Sequence, residues 1–120
     1  MALLLGAAAA AAHAHETSGA STASKTIELP AREFHEECLE LTPRQRLSYA
    51  FRSAQPLDFN IHYHRGNDVF YPVQQKNVRA YKNTFVPRRN DGYCLMWTNA
   101  TQGSVTLEYE FSVQPAAAKK

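Results

Sequence analysis

The chain has 120 residues, room for one domain of ordinary size, and its 13 basic and 11 acidic residues leave a formal net charge of +2. So small an excess argues against a nucleic-acid-binding protein. The 44% hydrophobic fraction includes an N-terminal alanine run, so the folding part is less apolar than that figure suggests.

In chain order, Leu3-Leu4-Leu5-Gly6 and Ala7 to Ala12 form a charge-free apolar run ending in Ala12-His13-Ala14. That ending fits the small-x-small pattern read by signal peptidases, so residues 1–14 are expected to be a signal peptide and the mature chain to be exported. An export route leads to secretion, a periplasm or the secretory-pathway lumen. The run is too short to span a bilayer, which takes about 20 residues, so no membrane span is expected. Residues 15–24 are small and polar and read as a flexible linker. The folded unit is expected over 25–114, with a frayed tail over 115–120.

The body alternates apolar and polar residues, the signature of strands with one buried face. Leu47, Tyr49 and Phe51 form one inward stripe, and Leu57, Phe59, Ile61 and Tyr63 a second. Tyr93, Leu95 and Trp97 form a third, and Val105, Leu107, Tyr109, Phe111 and Val113 a fourth. Shorter strands are expected at Thr26–Leu29, Cys38–Leu41, Asp68–Val73 and Val78–Val86. Turn residues separate these runs at Thr42-Pro43, Gln55-Pro56, Arg65-Gly66-Asn67-Asp68, Asn90-Asp91-Gly92 and Thr101-Gln102-Gly103. Ala31–Glu40 has room for a turn of helix at most. The pattern predicts an all-β domain, an antiparallel β-sandwich or barrel of about eight strands.

Charge is unevenly distributed. Residues 28–40 hold five glutamates (Glu28, Glu33, Glu36, Glu37, Glu40) against Arg32, whereas 44–91 hold nine basic residues against Asp58, Asp68 and Asp91. Cys38 and Cys94 are the two cysteines, and in an oxidising compartment they are expected to pair.

Asp91-Gly92-Tyr93-Cys94-Leu95-Met96-Trp97-Thr98-Asn99 resembles the late strand of GOLD (Golgi dynamics) domains, where a turn glycine precedes an aromatic-alternating strand ending in Asn. Luminal GOLD domains of early-secretory-pathway cargo receptors carry a cysteine there, paired with one near the domain start, and Glu37-Cys38-Leu39-Glu40-Leu41 occupies the matching place. Ile27-Glu28-Leu29-Pro30 and Leu57-Asp58-Phe59-Asn60-Ile61-His62-Tyr63 fit the same layout, so the resemblance covers roughly residues 26–113. It implies a jelly-roll-like β-sandwich, the Cys38–Cys94 pairing and protein or lipid contacts in transport, with no catalytic residues and no cofactor. The coiled coil, transmembrane helix and cytosolic tail of the cargo receptors have no counterpart in these residues. What the resemblance leaves is the recognition module.

Two candidate surfaces follow from residue types. Arg79, Lys82, Arg88 and Arg89 are interleaved with Tyr81, Phe85 and Val86, a composition that grips an anionic ligand. The same basic residues equally serve as a strand edge that discourages aggregation. His62 and His64 lie at i, i+2 on an outward strand face, a spacing that offers two imidazoles to one ion. His15, at or near the N-terminus left by cleavage, adds a copper-binding amine and ring. An exported copper- or zinc-binding protein using His15, His62 and His64 is therefore the alternative to a binding module, and two ordinary exposed histidines are the plainer reading of that face. No G-x-S-x-G, phosphate loop or H-E-x-x-H is present, so an enzyme is not expected. Asn99-Ala100-Thr101 is a sequon, read as a chance match.

Overall fold

The computed structural model describes residues 21–116. The expected signal peptide, His15 and most of the expected tail lie outside the described residues. The described chain is all β: β1 (Thr22–Leu29), β2 (Phe34–Leu41), β3 (Gln45–Arg65), β4 (Asp68–Phe85), β5 (Asp91–Thr98) and β6 (Val105–Pro115). Every pairing is antiparallel, in the order β1-β6-β3-β5-β2, with β4 on the other edge of β3.

Six strands replace the expected eight because two pairs of expected strands are continuous. Gln55-Pro56, read as a break, lies inside β3, and the two runs expected before and after Lys76 are one strand, β4. Proline donates no backbone hydrogen bond, so a ladder takes it only at an edge or an irregularity. The β3–β4 register shifts between Arg52 and Leu57, around Pro56, and again between Leu57 and Phe59. Ser53 Oγ donates to Gln55 O at 2.6 Å, holding the irregular backbone from the side-chain side. Opposite it, Asn77 takes φ 58°, and its N–H donates to Asp58 Oδ1 at 2.9 Å. Asn tolerates the left-handed region better than most residues. The result is a bend in a long hairpin rather than two separate hairpins. At the far end Gly66, at φ 59°, opens a two-residue turn between the paired Arg65 and Asp68.

The bend lets one edge of β3 pair with two different strands. Gln45–Ser53 pair with β6, and Asp58–His62 pair with β5. The sheet curls around these two halves, and its inner face is the core. All four inward stripes read from alternation are buried there, apart from the partly buried Tyr63 and Val113. Trp97 is 1% exposed and meets Phe51, Phe59 and Tyr109 at centroid distances of 5.9, 5.4 and 4.5 Å.

β1 begins at Thr22, inside the expected linker, because Thr22, Ala23 and Ser24 pair with Ser112, Phe111 and Glu110. The small polar composition that suggested a linker is what an edge strand at the sheet margin tolerates. No helix occurs among the described residues, and none is long and apolar enough to cross a membrane. Cys38 and Cys94 are directly opposed in the β2–β5 ladder and form a disulfide.

Asn99 ties the ends of four strands together. It is fully buried, its Nδ2 donates to Leu29 O, Pro30 O and Gly103 O at 3.0, 3.1 and 2.8 Å, and its Oδ1 accepts from Thr101 N and Oγ1. An amide so occupied is not available to a glycan.

Candidate functional site

The two ends of the β3–β4 hairpin meet at Tyr93 of β5. Its ring lies 5.3 Å from Tyr63, near the hairpin tip, and 5.1 Å from Phe85, where β4 ends. Between the tip and the 86–90 loop lies a groove of about 540 Å³ lined by Tyr63, Phe70, Tyr71, Val86, Arg88 and Arg89, among others. Phe70 stacks on Tyr63 at 5.1 Å, and the Arg89 guanidinium sits 5.9 Å from the centre of the Tyr63 ring. A guanidinium over an aromatic face is held by the ring's negative quadrupole while its N–H edge stays free to bind. Arg88 and Arg89 are exposed, and neither meets a carboxylate among the described residues. Arg65 at the tip pairs with Asp91 at 3.3 Å, tying the tip to the start of β5, just after the loop.

Around the groove the surface is apolar where water is expected. Val69, Phe70, Tyr71 and Val86 are 38, 43, 49 and 49% exposed. Successive strand residues face opposite sides, so Phe70 lies with Tyr63 while Tyr71 meets His62, at 5.9 Å, on the outer face. The hairpin tip is therefore apolar on both faces.

The structure does not gather the four basic residues into one patch. Arg88 and Arg89 line the tip groove. Lys82 is opposite Ala50, in a separate groove beside Glu110, and Arg79 sits on the bent part of β4, its carbonyl accepting from Ser53 Oγ. The bend that sequence spacing did not reveal divides them.

On the outer face His62 is buried, at 5% exposure, although alternation placed it outward with the exposed His64. Their rings are 5.3 Å apart. His62 Nδ1 lies 2.7 Å from Asn60 Oδ1, an acceptor, so Nδ1 carries the proton. Its Nε2 faces Glu36 Oε1 at 3.4 Å. Burial lowers the His62 pKa, with Glu36 pulling the other way and His64 adding to the fall.

A polar group that spacing gave no hint of crosses the open side of the curl, between β1 and β2, which share no ladder. Glu37 points inward, 9% exposed, and its Oε1 accepts from Lys25 Nζ at 2.7 Å and from Tyr109 Oη at 2.5 Å. Tyr109 Oη in turn lies 2.8 Å from His35 Nε2, which donates to it. Burial raises the Glu37 pKa, but the bonds from Lys25 and Tyr109 outweigh it and hold the carboxyl below its usual range. Burial lowers His35, and burial with the Glu37 contact pushes the Tyr109 phenol far up, so it stays a donor. The five glutamates of 28–40 make no ion pair with Lys or Arg of 44–91 among the described residues.

No known protein-family model and no curated protein matches the chain.

Proposed function

We propose that the chain is a non-catalytic, exported binding module of the GOLD type that docks on an anionic lipid surface through the tip of its β3–β4 hairpin and the adjacent 86–90 loop. The observation that carries this reading is the arrangement at the tip: large apolar side chains exposed on both faces of one hairpin, beside Arg88 and Arg89 without carboxylate partners. A protein partner would cover one face of the tip. A lipid interface surrounds a tip, takes aromatic side chains at headgroup depth and attracts arginine to anionic headgroups. The GOLD resemblance in the sequence supports a module of lipid or protein contacts, the disulfide is compatible with an exported chain, and six strands in a curled sheet suit the sandwich class that family implies.

The test is co-sedimentation of the full chain with vesicles of phosphatidylcholine alone and with 30 mol% phosphatidylserine, a composition of order that gives a clear negative surface. Binding is expected only to the anionic vesicles, to weaken with added salt, and to fall at least tenfold in Arg88→Glu/Arg89→Glu. Equal binding to both compositions, or none to either, removes the lipid reading and leaves a protein partner.

A further inference from the structure

We propose that the chain assembles head to tail, the free edge of β2 in one copy pairing antiparallel with the free edge of β4 in the next. Among the described residues β1 pairs only with β6, β2 only with β5 and β4 only with β3, so each leaves one edge open. An open edge is a row of backbone N–H and C=O groups that templates another strand. Charge separates the three edges. β2 carries Glu36, Glu37 and Glu40 with no lysine or arginine. The last stretch of β4, from Arg79 to Phe85, carries Arg79 and Lys82 with no acid. β1 carries one charge of each sign, Lys25 and Glu28. Two β2 edges therefore repel, two β4 edges repel, and β2 attracts β4. Arg79, Lys82 and Glu40 are exposed and make no ion pair among the described residues, and exposed Glu36 faces only His62.

Backbone direction is the second observation. In an antiparallel ladder the residues of a close, non-hydrogen-bonded pair turn their N–H and C=O away from each other. Cys38 and Cys94 are such a pair, with Cα atoms 4.0 Å apart. Cys38, and Glu36 and Glu40 at the same alternation, thus aim their backbone groups at the open edge of β2. On β4, Arg79 O accepts from Ser53 Oγ of β3, so Arg79 faces β3 and the next residue, Ala80, faces the open edge. Lys82 and Thr84 share that alternation, and Thr84 N–H donates to the Asn83 side chain at 2.8 Å. The β3–β4 register is unbroken from Arg52↔Ala80 to Leu47↔Phe85 and shifts beyond Ala80. Pro72, without an N–H, and Asn77, at φ 58°, guard the rest of that edge.

These constraints select a register. With Lys82 opposite Cys38 of the next copy, Ala80–Phe85 runs against His35–Glu40, edge-facing residues meet edge-facing residues, and the outer faces of the two sheets are continuous. Lys82 then lies between Glu36 and Glu40, at the diagonal spacing that long side chains bridge. Backbone hydrogen bonds supply the affinity, and the charges choose the edge and the direction. Each copy offers one β2 edge and one β4 edge, so the contact is heterologous and either closes into a ring or continues as a filament. It uses neither the hairpin tip nor the 86–90 loop, so it stands apart from lipid docking.

The test is sedimentation velocity of the full chain from about 10 μM to about 1 mM, a range that reaches weak association. Mass is expected to rise with concentration, and less so in high salt. Two charge-reversed variants, Arg79→Glu/Lys82→Glu and Glu36→Lys/Glu40→Lys, are each expected to weaken association at least tenfold while keeping the strand circular dichroism. An equimolar mixture of the two restores opposite charges at every contact and is expected to recover association. Amide exchange of the unaltered chain gives a readout that needs no variant: Glu36, Cys38, Glu40, Ala80 and Lys82 are expected to slow as concentration rises. A chain that stays monomeric throughout overturns the proposal. So does association that either variant retains in full, or a mixture of folded variants that stays monomeric. Concentration-dependent protection that leaves those five amides unchanged overturns it too.

Discussion

Asn99 shows how one residue can hold a fold's corners. Its amide spends both hydrogens on backbone carbonyls of Leu29, Pro30 and Gly103, and its oxygen on Thr101, all out of solvent. Asn99→Ala leaves several buried carbonyls unpaired, and Asn99→Asp sets a carboxylate against them. Each is expected to cost about 3 kcal/mol or more, Asp the most, read from the urea midpoint. Tyr49 is the opposite case: its hydroxyl is buried near that of Tyr81 but makes no bond of hydrogen-bond geometry among the described residues. Tyr49→Phe removes an unsatisfied polar group from an otherwise unchanged ring. It is expected to raise stability by about 1 kcal/mol, against the usual loss from a core substitution, and a lowered thermal midpoint would contradict that assignment. Neither role was legible in the sequence. Asn99 read as the end of a strand and a chance sequon, and Tyr49 as one more inward aromatic.

At the level of elements, alternation carried almost everything that faces inward. The stripes of β3, β5 and β6 are buried as read, because a half-buried strand leaves no other periodicity. Continuity was not legible, since Pro56 and Asn77 mark turns as readily as they mark a bend within a ladder. That one ambiguity turned six strands into an expected eight and hid which basic residues share a surface. Arg88 and Arg89 were legible as candidate binding residues, but their groove neighbours Tyr63 and Phe70 come beside them only once the hairpin register and the curl are known. Glu36 with His62, and Glu37 with Lys25, are likewise products of tertiary folding, joining strands that sequence spacing does not relate. The disulfide was legible as a pairing, and it crosses a 56-residue separation. Cys38→Ser/Cys94→Ser is expected to lower stability by about 4 kcal/mol on the chain-entropy argument, measured by denaturant unfolding. The β2–β5 ladder should keep the strand signal intact in water.

For the whole molecule, a polar chain, Lys25–Glu37–Tyr109–His35, closes the open side of the curl, and together with the outer-face His62 it ties stability to pH in one direction. His35 and His62 have folded-state pKa values below 6.5, so the unfolded chain binds more protons as pH falls through 6.5. Glu37 is held below 4.5, so the same holds as pH falls through 4.5 toward its folded value. Stability rises with pH wherever the unfolded state binds more protons. These three groups therefore contribute fully above pH 6.5 and lose their contribution stepwise on acidification. Glu37→Gln is expected to remove the step below pH 4.5, and to cost about 1–2 kcal/mol at neutral pH through its bonds to Lys25 and Tyr109. An unchanged low-pH step in that variant would assign the acid sensitivity elsewhere.

The same curl that leaves this side open brings the hairpin tip to the 86–90 loop on the other, and docking through those two segments is the central claim. Amide hydrogen exchange of the full chain, with and without phosphatidylserine-containing vesicles, tests it most directly. The expected result is slowed exchange confined to residues about 64–72 and 86–90, with the rest of the sheet unaffected. Protection spread along β1 and β6 or β2 and β5 instead, with the tip exchanging as it does free in solution, would contradict it.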